Sequence, residues 1–283
     1  MSTQSRTQLD ELMSHIEETW SNLNTLFDDL AAHDGWNQKH GADWIFADLP
    51  YHLAYCNQEI VVRSLKAGPD LPEDQQELLA SVDAINAWNA RKFAERPAGQ
   101  TPEQSVLQWR ETCDAVRRLA GEMTDADLDR AFWMILFSGW STAHEGFEFT
   151  RAHDWGEFMQ LRIHMGREEP VPSAAVTRAY LRRMLGGFPL FLNREAAAGR
   201  TFTAVMAFTD PGVGAFTLRV ADGAATFSSG EAPDADLVMT QSAETYLKTL
   251  TGMLYPAEAI QTGLVQVNDF ASLATFGQLF QMP

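Results

Sequence analysis

The apolar residues of this 283-residue chain change their spacing once, near residue 170, and this limits the fold to two differently built halves. Leu9, Leu12, Met13, Ile16, Trp20, Leu23, Leu26, Phe27 and Leu30 recur at steps of three and four, the period of a long amphipathic helix. Asp34-Gly35 closes it. A second helix is predicted from about Trp44 to Leu65, with Pro50 near its start, where a missing N–H costs least, and Lys66-Ala-Gly-Pro69 at its end. Pro72 to about Ala94 has helical composition. Thr101-Pro102-Glu103-Gln104 combines an N-cap, an N1 proline and an acidic first turn, opening a helix to about Met123. A last helix runs from Ser141 or Thr142 to Gly166. With no strand-like alternation among them, these segments predict a bundle, whose core is a usual place for inward-facing metal ligands.

Glu168-Glu-Pro-Val-Pro172-Ser reads as a linker. Beyond it, Thr201 to Thr209, Ala215 to Val220 and Ala224 to Ser228 are rich in β-branched and aromatic residues, and Ala221-Asp222-Gly223 supplies a turn between the last two. Asp236 to Thr240 and Leu264 to Val267 read as further strands. Helices are predicted from Ser242, from Pro256 to Thr262 and from Asp269 to Gln281. The second half is therefore α+β with a largely antiparallel sheet.

Composition narrows the function classes. Hydrophobic residues make up 45% of the chain, with 8 Trp and 17 Phe, which argues for packed cores rather than disorder. The net charge of -17, without any Lys/Arg cluster, disfavours nucleic acid and electrostatic docking on anionic membranes. No apolar run approaches the roughly 20 residues a membrane helix needs, and the first residues lack the apolar core of a signal peptide. The expected location is cytoplasmic. Cys56 and Cys113 show no CxxC or zinc-finger spacing, so they are expected to be buried reduced thiols rather than metal ligands.

One segment carries candidate chemistry. In His153-Asp-Trp-Gly-Glu157-Phe-Met-Gln160, His153 and Glu157 are helical i, i+4 neighbours, with Gln160 on the same stripe. Spacing alone favours a solvated polar face over a metal site. His144 and Glu148 form a second such pair, read as helix-face residues. His164 lies about 16 Å along the helix from His153, too far to share an ion with it, and is read as a surface or capping histidine. Tyr51 adjoins His52 but points about 100° away on the helix, which favours packing.

Two resemblances add to this. Trp44-Ile-Phe-Ala-Asp-Leu-Pro-Tyr-His52-Leu-Ala54 and the His153 to Gln160 segment resemble the metal-binding motifs of the DinB-like superfamily, over roughly residues 5 to 166. Members carry one metal-binding His in a tryptophan-led segment ending in His-Leu-Ala, and two more as His-x-x-x-His, often followed by x-x-Gln. Glu157 stands where that pattern has its third histidine. The resemblance implies an all-α up-and-down four-helix bundle over 1–168, with His52, His153 and Glu157 holding a divalent ion and Gln160 beside them. It also implies a low-molecular-weight thiol activated as thiolate, in a transferase or isomerase related to thiol-dependent maleylpyruvate isomerase. A carboxylate can replace imidazole as a ligand, and the residues do not separate Zn, Ni, Fe or Mn.

Phe191-Leu-Asn-Arg-Glu195-Ala-Ala-Ala-Gly199, the strand Ala235-Asp236-Leu-Val-Met-Thr-Gln-Ser242 and the turn Gly263-Leu-Val-Gln-Val-Asn268-Asp269 resemble the sterol carrier protein 2 (SCP2) family over 174–283. That resemblance implies an apolar tunnel for a lipid-like ligand, for which Phe191, Phe202, Phe208, Phe216, Phe227, Leu254, Phe276 and Phe280 are candidate lining residues; they equally serve as core. Two alternatives stay open. One is a non-catalytic carrier of a small-molecule or lipid-like ligand, with the bundle as a homodimer scaffold. The other is a hydrolase or oxygenase using the 2-His-1-carboxylate set.

Overall fold

The computed structural model describes residues 5–40, 44–136 and 138–280, so the expected end of the last helix at Gln281 lies outside the described residues. The chain divides into two compact units, Met1–Val171 and Pro172–Pro283. The first is helical; the second carries a mostly antiparallel five-stranded sheet. No helix among the described residues is long and apolar enough to cross a membrane.

In the first unit, α1 (Thr7–Ala32) buries the whole apolar stripe read from Leu9 to Leu30. The second helix departs from its expected form. Trp44–Ile45 is strand β2, paired antiparallel with β1 (Lys39–His40), and a 3-10 turn, Phe46–Asp48, precedes α2 (Leu49–Cys56). Asp48 explains the late start: its carboxylate accepts from the Ile45 backbone N–H at 3.0 Å, which caps the turn. A π-helical stretch, Asn57–Val62, continues α2 into α3 (Arg63–Ala67). Such a stretch inside a helix widens the turn and re-aims side chains, often beside a functional site.

The expected helix from Pro72 is also shorter. Residues 73–75 form one 3-10 turn, and α4 (Val82–Ala94) begins only where the Ser81 side chain accepts from Ala84 N–H. Leu79 in between is tied by its backbone N–H to Ile135 O, at 2.7 Å, so tertiary pairing takes the segment away from helix. By contrast α5 (Pro102–Gly121) starts as read, with Thr101 and Gln104 bonding each other's backbone N–H groups in a full capping box. Thr101→Ala is expected to cost about 0.5–2 kcal/mol of unfolding free energy by urea denaturation.

Strands β3 (Ala131–Met134) and β4 (Gly139–Thr142) form a second ribbon, against the expectation of helices alone. Thr142 then caps α6 (Ala143–His164), accepting from Glu145 N–H. Helix α1 packs on α6 and touches α5, α2 packs on α5, and the π-helical stretch packs on both α5 and α6. Trp20, Trp109, Trp155, Phe147 and Phe158 are fully buried between them.

The second unit opens with α7 (Ala174–Gly186) and α8 (Arg194–Ala197). Its strands are β5 (Phe202–Phe208), β6 (Gly214–Ala221), β7 (Ala224–Ser229), β8 (Leu237–Gln241) and β9 (Gln266–Val267), in the order β7-β6-β5-β8-β9. Among the described residues of this sheet, only β5 and β8 pair in parallel. The turn between β6 and β7 has φ of 51° at Asp222 and 73° at Gly223, the left-handed pair that a two-residue hairpin demands. Helices α9 (Ala243–Leu250), α10 (Pro256–Gln261) and α11 (Phe270–Leu279) complete it. Of the aromatic residues read as tunnel or core, Phe202, Phe208, Phe216 and Phe280 are buried, whereas Phe191 is exposed.

Candidate metal centre

Helices α2 and α6 bring His52 and His153 together: their Nε2 atoms lie 3.0 Å apart. Glu157, one turn beyond His153, places Oε1 3.8 Å from His52 Nε2 and 3.9 Å from His153 Nε2. Two ligands each about 2.0–2.1 Å from one ion stand roughly 3.0–3.4 Å apart in right-angled or tetrahedral arrangements. The two imidazoles already have that separation, and the carboxylate lies a few tenths of an ångström beyond it.

The outer nitrogens show which atoms face inward. Tyr55 OH donates to Asn89 Oδ1 at 2.9 Å, so toward His52 Nδ1, 2.6 Å away, it accepts. His52 therefore carries its proton on Nδ1 and presents a lone pair on Nε2. His153 Nδ1 donates to Asp154 Oδ1 at 2.9 Å, and Asp154 Oδ2 accepts from Trp20 Nε1 at 2.7 Å. Such outer partners fix the tautomer and ring plane of metal-binding histidines. With both lone pairs aimed at each other, only a cation or a proton between the rings satisfies them. The donor set fits a divalent ion.

The electrostatics agree. Burial pushes His52 down to about 3, keeping it neutral. Burial works to raise Glu157, but the neighbouring His40, His52 and His153 outweigh it and bring it down to about 2, so it stays ionised. Burial also works against a charge on His153, yet Cys56 and Asp154 hold it well above the ordinary imidazole range. A proton added to His153 in the absence of an ion would sit on Nε2, facing His52 Nε2.

Two neighbours escaped the sequence reading. Cys56 Sγ lies 3.7 Å from His52 Nε2, and His52, Cys56 and His153 offer ligand atoms within 4.8 Å of one another. The thiols are free and buried, but Cys56 borders the centre, which corrects its dismissal as a metal-side residue. Its i, i+4 spacing from His52 was the available signal. His40, on β1, places Nε2 3.7 Å from Glu157 Oε2; nothing in its local sequence marked it.

The other candidates separate clearly. Gln160 is half-buried one turn past Glu157. His164 is not a free surface histidine: its Nδ1 lies 3.0 Å from His40 Nδ1. His144 and Glu148 pair at 3.8 Å, and Glu148 also pairs with Arg151. Tyr51 is buried and donates to Lys92 O at 3.0 Å, a packing role. His153 and Glu157 keep 18% and 16% of their side-chain surface exposed against 6% for His52, so the centre opens on the α6 side. Phe149 stacks on His153 there, with ring centres 5.0 Å apart.

Trp20→Phe removes the N–H that orients Asp154. It is expected to lower affinity for a divalent ion about 10–100-fold, as read by competition with a chromophoric chelator, with helical circular dichroism retained.

This is a helical fold whose described residues bring together a group able to hold a metal ion. Residues 15–161 match the DinB superfamily, more than half of the chain, and the chain belongs to that family. No curated protein matches it in sequence. Among solved structures, the mycothiol-dependent maleylpyruvate isomerase is similar at a TM-score of 0.50 and 12% identity, covering 91% of this chain and 92% of that one. The stereoselective inverting sec-alkylsulfatase Pisa1 from Pseudomonas sp. matches at a TM-score of 0.31 and 19% identity, over 48% of this chain. The chain spans about a quarter of the length of that sulfatase.

Proposed function

We propose that this protein is a metal-dependent enzyme that works with a low-molecular-weight thiol, as a transferase or isomerase. The carrying observation is the pair of inward Nε2 lone pairs on His52 and His153, 3.0 Å apart beside the Glu157 carboxylate. These three residues would hold the ion. When bound, the ion supplies a Lewis acid and lowers the pKa of a coordinated water or thiol. The chain's own residues do the rest: Tyr55 and Asp154 lock the ring planes, Phe149 and the partly open α6 face admit a small molecule, and Gln160 stands where it can orient it. The family membership and the fold shared with the mycothiol-dependent isomerase support the thiol reading.

The same proposal takes 1–168 as an up-and-down four-helix bundle and 174–283 as an SCP2-like module offering a hydrophobic ligand site. Support for the module is the order of its elements and the half-buried Phe276, whose ring centre lies 4.9 Å from that of buried Phe280.

The test is metal analysis of protein purified without chelator. About one ion per chain is expected in the wild type, and much less in His52→Ala and His153→Ala. Equal, negligible metal in all three sinks the proposal. With cobalt bound, a panel of low-molecular-weight thiols should produce a sulfur-to-metal charge-transfer band; its absence throughout removes the thiol half of the reading.

A further inference from the structure

Glu157 faces more than two imidazoles. His40 Nε2 lies 3.7 Å from Oε2, next to the 3.8 Å and 3.9 Å separations of His52 and His153 from Oε1. At these distances none of the three makes a hydrogen bond to the carboxylate. With Glu157 holding an ion through both oxygens, Oε1 toward His52 and His153 and Oε2 toward His40, they lie between the roughly 3.0–3.4 Å of adjacent ligands and about 4.1 Å for ligands on opposite sides of an ion.

The outward atoms repeat the same pattern. His52 Nδ1 meets Tyr55 OH at 2.6 Å, His153 Nδ1 meets Asp154 Oδ1 at 2.9 Å, and His40 Nδ1 meets His164 Nδ1 at 3.0 Å. Each ring is thus held at Nδ1 and turns Nε2 toward the same carboxylate, the division of labour found in metal-binding histidines. His40 is also buried, 6% exposed, with its ring 5.8 Å from Phe46 and edge-on to His164 at 5.0 Å. A histidine that only capped a surface ribbon would need neither the burial nor the partner.

The geometry points to His40 as a further ligand of the same ion, so that three imidazoles and the Glu157 carboxylate hold it. This rests on the metal reading above. It changes the chemistry expected there. Four protein ligands fill a tetrahedral ion and leave no open position, so a working centre would need five or six coordination. That selects against the tetrahedral habit of zinc and toward ions that accept mixed nitrogen and oxygen sets at higher number. The β1–β2 ribbon then becomes part of the site rather than a connection between helices.

The test counts imidazoles on cobalt-loaded full-length protein by X-ray absorption. Three are expected in the wild type and two in His40→Ala and His40→Gln, with cobalt affinity in both variants reduced by roughly 100-fold or more. His164→Ala keeps His40 Nε2 in place, so it should retain three imidazoles while losing about 10–100-fold in affinity, the usual effect of removing an outer partner. A wild-type count of two, or a count unchanged by His40→Ala, overturns the assignment. Should the His40 variants fail to fold, the wild-type count alone decides. Cobalt binding with two imidazoles leaves the metal reading standing and removes only His40; no cobalt binding in the wild type removes both.

Discussion

Glu157→Gln is expected to lower affinity for a divalent ion by more than about 100-fold, beyond the loss that follows removal of an outer partner, while the apoprotein keeps its fold. The amide fills the same space, so packing on α6 is preserved. What disappears is the negative charge that faces His40, His52 and His153, and with it most of the attraction for a cation in a poorly solvated site. The same centre makes binding depend on pH with a definite sign. At neutral pH Glu157, at about 2, and His52, at about 3, are already deprotonated, whereas His153 sits well above 6.5 and holds a proton. An entering ion must displace that proton, so affinity falls as pH falls. Titration calorimetry at pH 7 in buffers of different ionisation enthalpy should report release of about one proton per ion by the wild type. No release would mean that His153 is neutral without metal and that the gap between the rings is bridged in some other way.

What the sequence disclosed follows from how local each signal is. The Thr101 N-cap and the Asp222-Gly223 turn are complete within four residues, and both formed as read. His153 and Glu157 lie on one helix face whatever surrounds them, so their pairing needed only the period of α6. His52 and His153 are 101 residues apart, and here a family resemblance supplied what spacing could not. The failures were tertiary. Two-residue strands such as β1 and β2 are too short to show alternation, so nothing in the sequence pattern singled out His40. Leu79 was drawn out of its helix by Ile135, a partner far along the chain. Cys56 is a different case: its i, i+4 spacing from His52 is visible in the sequence, but cysteine-pair spacings do not describe a mixed His/Cys face.

Gly146→Ala should destabilise the protein by about 1–3 kcal/mol, reversing the usual sign for this change in a helix, where alanine is favoured by about 1 kcal/mol. Gly146 lies in the first turns of α6, against β3. A Cβ there would meet Phe132 Cε2 at 2.4 Å, Cζ at 2.5 Å and Cδ2 at 2.9 Å. Phe132 cannot swing away, being fully buried in β3, which pairs with β4 at Trp140 to Thr142 just before the helix begins. The strain must therefore pass either into the ribbon or along α6, which carries His153 two turns further on. Those routes are separable. If the ribbon yields, urea denaturation shows the loss and metal affinity holds; if α6 shifts, metal affinity falls with it. In either case Phe132→Leu, itself costly as a large-to-small change, should cost much less in the Gly146→Ala background than in the wild type, because the two residues compete for one volume. Strict additivity of the two changes would show that the contact between Gly146 and Phe132 does not set the packing of α6.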